Sequence, residues 1–92
     1  MWENMTTYLL KITKGNRTIC TADSMRKARI MARGILKDGI ASVIYIYESH
    51  RYTDTLVGLV REGDRPNTYT YGKYGGSERY LKNDGTLGRI IR

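Results

Sequence analysis

The sequence predicts a single small α+β domain, residues 1–92, in which one amphipathic helix packs on a mainly antiparallel sheet of four to six strands. The predicted order is β-β-α-β-β-β(β). Three observations lead there. Only one segment has helical periodicity with capping residues at both ends, and the segments on either side of it alternate with a period of two. With 92 residues, 40% hydrophobic and 27% charged, the chain is large enough for one globular domain with a small core and too small for a second.

Thr6 to Lys14 sets Tyr8, Leu10 and Ile12 on one face against Thr7, Leu9 and Lys11 on the other, which is the pattern of a half-buried strand. Gly15-Asn16 supplies a turn, and Arg17 to Ala22 continues as a second strand, so the chain opens with a hairpin. Met1 to Met5 reads as a loose leader. Asp23 or Ser24 can accept the first free amide of a helix and Asp38-Gly39 can end it, which predicts a helix over Ser24 to Lys37. On its projection Met25, Ala28, Met31, Ala32, Ile35 and Leu36 share one stripe. Ile40 to Tyr47 is β-branched and aromatic on both faces, as a central strand is. Glu48 to Asp54 reads as a loop or irregular hairpin end, and Thr55 to Arg61 resumes a strand. After the break at Glu62 to Pro66, Thr68 to Tyr74 alternates Thr with Tyr, a strand composition suited to a partly covered sheet. Glu78 to Lys82 and Thr86 to Ile91, joined by Asn83-Asp84-Gly85, form a last hairpin, with a disordered tail as the alternative for its final strand. One helix covers one sheet face, which leaves the other open or covered by a second copy.

Most catalytic chemistry lacks its residues here. The chain has one His and one Cys, and its acids are scattered singly, so no metal-ligand spacing arises and no cofactor is expected. His50 is the one general base on offer, with Asp54 near it in sequence, and no nucleophile accompanies it; a non-enzymatic role is expected. A lone Cys20 without a disulfide partner suits a cytoplasmic protein, and no apolar run reaches membrane-spanning length. The sequons at Asn4 and Asn16 carry no weight in that setting. Gly72 to Ser77 is glycine-rich, yet its spacing does not match a phosphate loop and no helix follows it.

The positive signal is charge. Sixteen Lys and Arg against nine Asp and Glu give a net +7. Arg26, Lys27, Arg29, Arg33 and Lys37 put five cations on the helix with no acid inside it, and another net +4 falls between Arg65 and Arg92. On the helical projection Arg26, Arg29, Arg33 and Lys37 lie within about 80° of one another, opposite the apolar stripe. A helix built only for solubility mixes both signs, whereas a row of cations suits phosphate neutralisation. Ile30 lies inside that row as a candidate protein-contact anchor. Tyr69, Tyr71, Lys73, Tyr74, Arg79, Tyr80 and Lys82 interleave aromatics with cations, a composition able to stack bases and hold phosphates.

The expected partner is therefore nucleic acid or a ribonucleoprotein, engaged through Arg26, Arg29, Arg33, Lys37, Ile30, Lys73, Tyr74, Arg79 and Lys82. In format alone, as a short chain without motifs, it resembles the small accessory proteins of bacteriophages and mobile elements, anti-CRISPR inhibitors among them. That resemblance implies an alternative in which the basic face docks on a host nucleic-acid-binding protein and blocks it. A homo-oligomer that sequesters a nucleotide between tyrosines and arginines of adjacent copies is a third expectation.

Overall fold

A computed structural model of the chain describes residues 6–13, 17–73 and 76–91. Its elements are β1 (Thr7–Lys11), β2 (Thr18–Ala22), α1 (Met25–Lys37), β3 (Val43–His50), β4 (Thr53–Glu62), β5 (Tyr69–Lys73), β6 (Glu78–Leu81) and β7 (Leu87–Ile90). The seven strands form one sheet in the order β2-β1-β3-β4-β5-β6-β7, with every neighbouring pair antiparallel. The α+β class and the single helix stand as expected. The sheet has one strand more than expected, because the last segment pairs with β6 instead of forming a tail.

The helix ends are set by local chemistry. The Ser24 hydroxyl accepts the Lys27 amide at 3.1 Å, a cap worth about 1 kcal/mol. At the other end Gly39 adopts φ +76, and the Gly39 and Ile40 amides donate to the Leu36 and Ile35 carbonyls at 3.0 and 3.2 Å. This is a Schellman closure, which needs a left-handed residue where glycine stands.

Leu10, Ile44, Ile46 and Val60 are fully buried on one sheet face, beneath Ala28, Ala32 and Leu36 of the helix. Register confirms the shared face, since Leu10 opposes Ile46, Ile44 opposes Val60 and Val60 opposes Tyr71. The buried seam on the helix thus runs along Ala28, Ala32 and Leu36, narrower than the stripe read from sequence. Small alanines let the helix approach the sheet closely, and Met31 and Ile35 fall to the flank, half-buried.

Two further details depart from expectation. Of the two alternatives for 48–54 the structure has the hairpin end and not the loop, and its ladder is regular to the tip: β3 runs to His50 and β4 starts at Thr53, leaving a two-residue turn at Arg51-Tyr52 with Arg51 at φ 59. Polar residues continue the ladder there because both sides of the hairpin end face water. Asp54 opposes Ser49 and His50 opposes Thr53, so His50 and Asp54 are not a facing pair. Gly15-Asn16 and the leader lie outside the described residues.

Gly58 makes room for an aromatic ring: a Cβ there would sit 2.5 Å from the Tyr71 hydroxyl and 2.6 Å from its ring carbons. Gly34, mid-helix, has nothing within 4 Å of the same position. Gly58→Ala is expected to lower stability by about 1–3 kcal/mol through overpacking. Gly34→Ala is expected to raise it by roughly 0.5–1 kcal/mol through backbone entropy. Urea denaturation of the two variants beside the parent chain checks both signs.

Candidate functional site

The basic row sits on the flank of the helix that faces β5, β6 and β7. Arg29 lies about 60° from Ala32 on the helical projection and Arg33 about 100°, so neither points directly away from the core. Their guanidinium groups lie over two tyrosines of β5: Arg33 is 4.7 Å from the Tyr69 ring centroid and Arg29 is 5.2 Å from that of Tyr71. Each such contact contributes about 0.5–2 kcal/mol. Both rings are 5% exposed. They are buried under the arginines and cannot stack on bases, which corrects the expectation drawn from the Thr-Tyr alternation.

The β6–β7 turn orients the same arginines from the other side. Arg26 Nε donates to the Asp84 carbonyl at 2.7 Å, and Arg29 Nε donates to the adjacent Gly85 carbonyl at 2.8 Å. Arg79 Nε donates to the Gly88 carbonyl at 2.7 Å. Gly85 has φ +85, and a Cβ on it would meet the Arg26 carbonyl at 2.7 Å and Ile30 Cγ1 at 2.8 Å, so only glycine lets the turn rest on the helix. Ile30, 39% exposed, is therefore partly covered by this turn and not isolated among arginines.

Tying Nε to a main-chain carbonyl fixes the plane of a guanidinium and leaves its terminal Nη groups for another acceptor. Arg26, Arg29 and Arg79 are all held this way. Among the described residues, no carboxylate comes within ion-pairing distance of Arg26, Arg29, Arg33 or Lys37. Asp84 is close enough to Arg26 to feel its charge, but its carboxylate accepts from the Thr86 hydroxyl at 2.6 Å and the Thr86 amide at 3.0 Å. Those bonds, the hydroxyl's first, hold Asp84 below the usual carboxylate range. Desolvation lowers the Arg29 pKa, with the neighbouring Tyr71 phenol acting in the opposite direction. Arg33 Nε is buried with no hydrogen-bond partner.

Lys73 alternates with Tyr69 and Tyr71, and Arg79 opposes Tyr71 in register, so both leave the sheet on the helix side and join the row. Lys82 does not. Tyr80 opposes Thr70 on the other face, and a Cβ at Gly88 would lie 3.5 Å from Tyr80 Cβ and 3.6 Å from Lys82 Cε, which puts both on that side. Tyr74 lies outside the described residues. The site is thus Arg26, Arg29, Arg33, Lys37, Lys73 and Arg79, with Ile30 at its margin.

Among the described residues no group of three His, Cys, Asp or Glu side chains could hold a metal. His50 is exposed, and burial pushes the Cys20 thiol pKa up, away from nucleophile activation. A hollow of about 310 Å³ lined by Arg61, Glu62, Asp64, Thr70 and Glu78 opens away from the row and has no nucleophile beside a base. No described helix is long and apolar enough to cross a membrane. Compared with known protein families, curated proteins and solved structures, the chain matches none.

Arg61 shows what a neutralised arginine looks like in this fold. It grips Glu78 through Nε at 2.8 Å and Nη2 at 2.5 Å, and the Thr70 hydroxyl donates to the same carboxylate at 3.0 Å. The Arg61 bond, followed by that of Thr70, holds the Glu78 pKa below its ordinary 4.5, against the opposing pull of burial. A depressed carboxylate pKa stabilises the fold above the unfolded value, and the benefit is lost as pH falls through the folded value. Stability is therefore expected to drop below about pH 4.5, and Glu78→Gln is expected to flatten that acid limb. Thermal melts between pH 3 and pH 7, run at about 0.1 M salt, check it.

Proposed function

We propose that this chain is a non-catalytic binding module for a phosphate-rich partner, nucleic acid or a ribonucleoprotein, engaged along Arg26, Arg29, Arg33 and Lys37. One observation carries the reading: the row has no described carboxylate within ion-pairing distance, and Arg26 and Arg29 are aimed by carbonyls that leave their Nη groups open. From Arg26 to Lys37 the row spans about 16 Å of helix axis, with a cation at every turn. Phosphates accept bidentate contacts from guanidinium forks, and such contacts position a strand without reading its sequence. The row offers no amide side chain for base edges, and its tyrosines are covered. Binding is accordingly sequence-independent and salt-sensitive.

Ile30 favours a second reading. A partly exposed β-branched residue beside Arg26 and Arg33 suits a protein surface more than a phosphate chain. On that reading the basic face docks on a nucleic-acid-binding protein and excludes its ligand. Ile30→Asp would then cost as much as a charge reversal, and free nucleic acid would not bind tightly.

Fluorescence anisotropy with duplexes of unrelated sequence separates the two. Four neutralised phosphates predict a slope of log K against log salt near −3.6, with a loss of about 0.9 for each cation removed. Lys37→Gln removes an exposed cation with least effect on packing, and Arg26→Glu with Lys37→Glu, at the two exposed cations of the row, is expected to abolish binding in a chain whose circular dichroism is unchanged. Undiminished affinity of that double variant at low salt defeats the proposal.

A further inference from the structure

The turn between β3 and β4 joins two features that the fold does not need. Arg51 holds φ 59, a left-handed backbone that glycine or asparagine adopts more readily than arginine. Tyr52 beside it is fully exposed, more so than any other large apolar or aromatic side chain described. One exposed hydrophobe is ordinary and one left-handed residue is tolerable, but here they are neighbours. A ring standing wholly in water stabilises nothing, and a glycine at 51 would close the same turn without strain. Such a tip is kept for what it touches.

The turn also projects. His50, Arg51 and Thr53 are exposed with Tyr52. Among the described residues the last ladder pair, His50 with Thr53, has no strand on either side, because β1 reaches only to Ser49 and β5 only to Gly58. The projection leaves the sheet at the end where the helix begins: Thr7, which opposes Ser49, lines a hollow together with Lys27 of the first helical turn. Arg26, the first cation of the row, lies in that same turn. Tyr52 follows Ser49 by three residues, at most about 10 Å of chain.

We propose that this tip is a second contact on the nucleic acid held by the basic row, with Tyr52 stacking on an unpaired base and Arg51 holding the phosphate beside it. The inference rests on the reading of the row as a phosphate-binding face, and it adds the form of the nucleic acid, a single strand. Bases inside a duplex are already stacked on both faces, whereas an unpaired base offers a flat face to a ring. Stacking of this kind tolerates any base, in keeping with a row that reads no sequence. A protein partner suits the tip less well. Hot-spot tyrosines are surrounded by contacts that exclude water, and Tyr52 stands on a turn of two residues between a cation and a hydroxyl.

Fluorescence anisotropy with a labelled single strand, the duplex of the same sequence and an abasic strand of equal length tests this. Tyr52→Ala is expected to weaken binding of the single strand roughly 5- to 150-fold, the range that one base stacked on an aromatic ring supplies, and to leave the duplex and the abasic strand unchanged. Tyr52→Phe is expected to keep the parent affinity. Tyr52→Leu retains apolar bulk without a flat ring and is expected to behave as Tyr52→Ala. Arg51→Gly is expected to lower the slope of log K against log salt on the single strand by about 0.7 without lowering the thermal midpoint. If neither the single strand nor the duplex binds, the reading of the row fails and this proposal fails with it. If both bind and Tyr52→Ala holds the single strand as tightly as the parent, or Tyr52→Leu matches Tyr52→Phe, the stacking tip is overturned and the reading of the row stands.

Discussion

The seam between Ala28, Ala32 and Leu36 and the four buried sheet residues Leu10, Ile44, Ile46 and Val60 is the contact on which the other features depend. Among the described residues one helix covers seven strands, and the seam sets both its height and its rotation. Alanine seats it low. The rotation then directs Arg29 and Arg33 onto Tyr71 and Tyr69 on one flank and leaves Met31 and Ile35 on the other. Gly58 belongs to the same arrangement, because without it the Tyr71 ring has no place beneath Arg29. The β6–β7 turn completes it by bringing two consecutive carbonyls to Arg26 and Arg29.

That rotation divides the arginines into two kinds. Arg61 is closed by Glu78 in a bidentate pair on the sheet face away from the helix. Arg26, Arg29 and Arg79 are bonded to carbonyls through Nε alone, so their direction is fixed and their charge is not cancelled. The difference is chemical, not a matter of exposure, since Arg61 and Arg79 are both exposed. A guanidinium held at one nitrogen loses little entropy when its remaining donors find a phosphate.

Legibility followed the range of the interaction responsible. Ser24 and Gly39 bound the helix through bonds made within a few residues, and both were readable. Strand positions came from alternation, which is equally local. The seat of the helix was not readable, because Met25, Ala28, Met31, Ala32, Ile35 and Leu36 form a stripe broad enough to allow several rotations. Alternation likewise says that Tyr69 and Tyr71 share a face without saying which face the helix covers. The carbonyls of Asp84, Gly85 and Gly88 have no signature as arginine acceptors; Asp84-Gly85 announces a turn and nothing about what it touches. Charge was the part of the site open to sequence: its freedom from carboxylates holds among the described residues, while full exposure holds for Arg26 and Lys37 and not for Arg29 and Arg33.

Like charges three and four residues apart on a helix cost roughly 0.2–0.5 kcal/mol per pair, and Arg26, Arg29, Arg33 and Lys37 form three such pairs in succession. Propensity does not cancel that repulsion. The cation–π contacts at Tyr69 and Tyr71, together with the bond from half-buried Arg29 to Gly85, exceed it, which is why the row is tolerated in the folded chain. They hold the arginines in place without neutralising them, so the repulsion persists in the native state. A polyanion that engages the folded row and not the unfolded chain relieves it, and by linkage the same free energy stabilises the fold. In this protein, the placement of the helix on the sheet and the proposed capacity to hold a phosphate-rich partner are thus two expressions of one set of contacts.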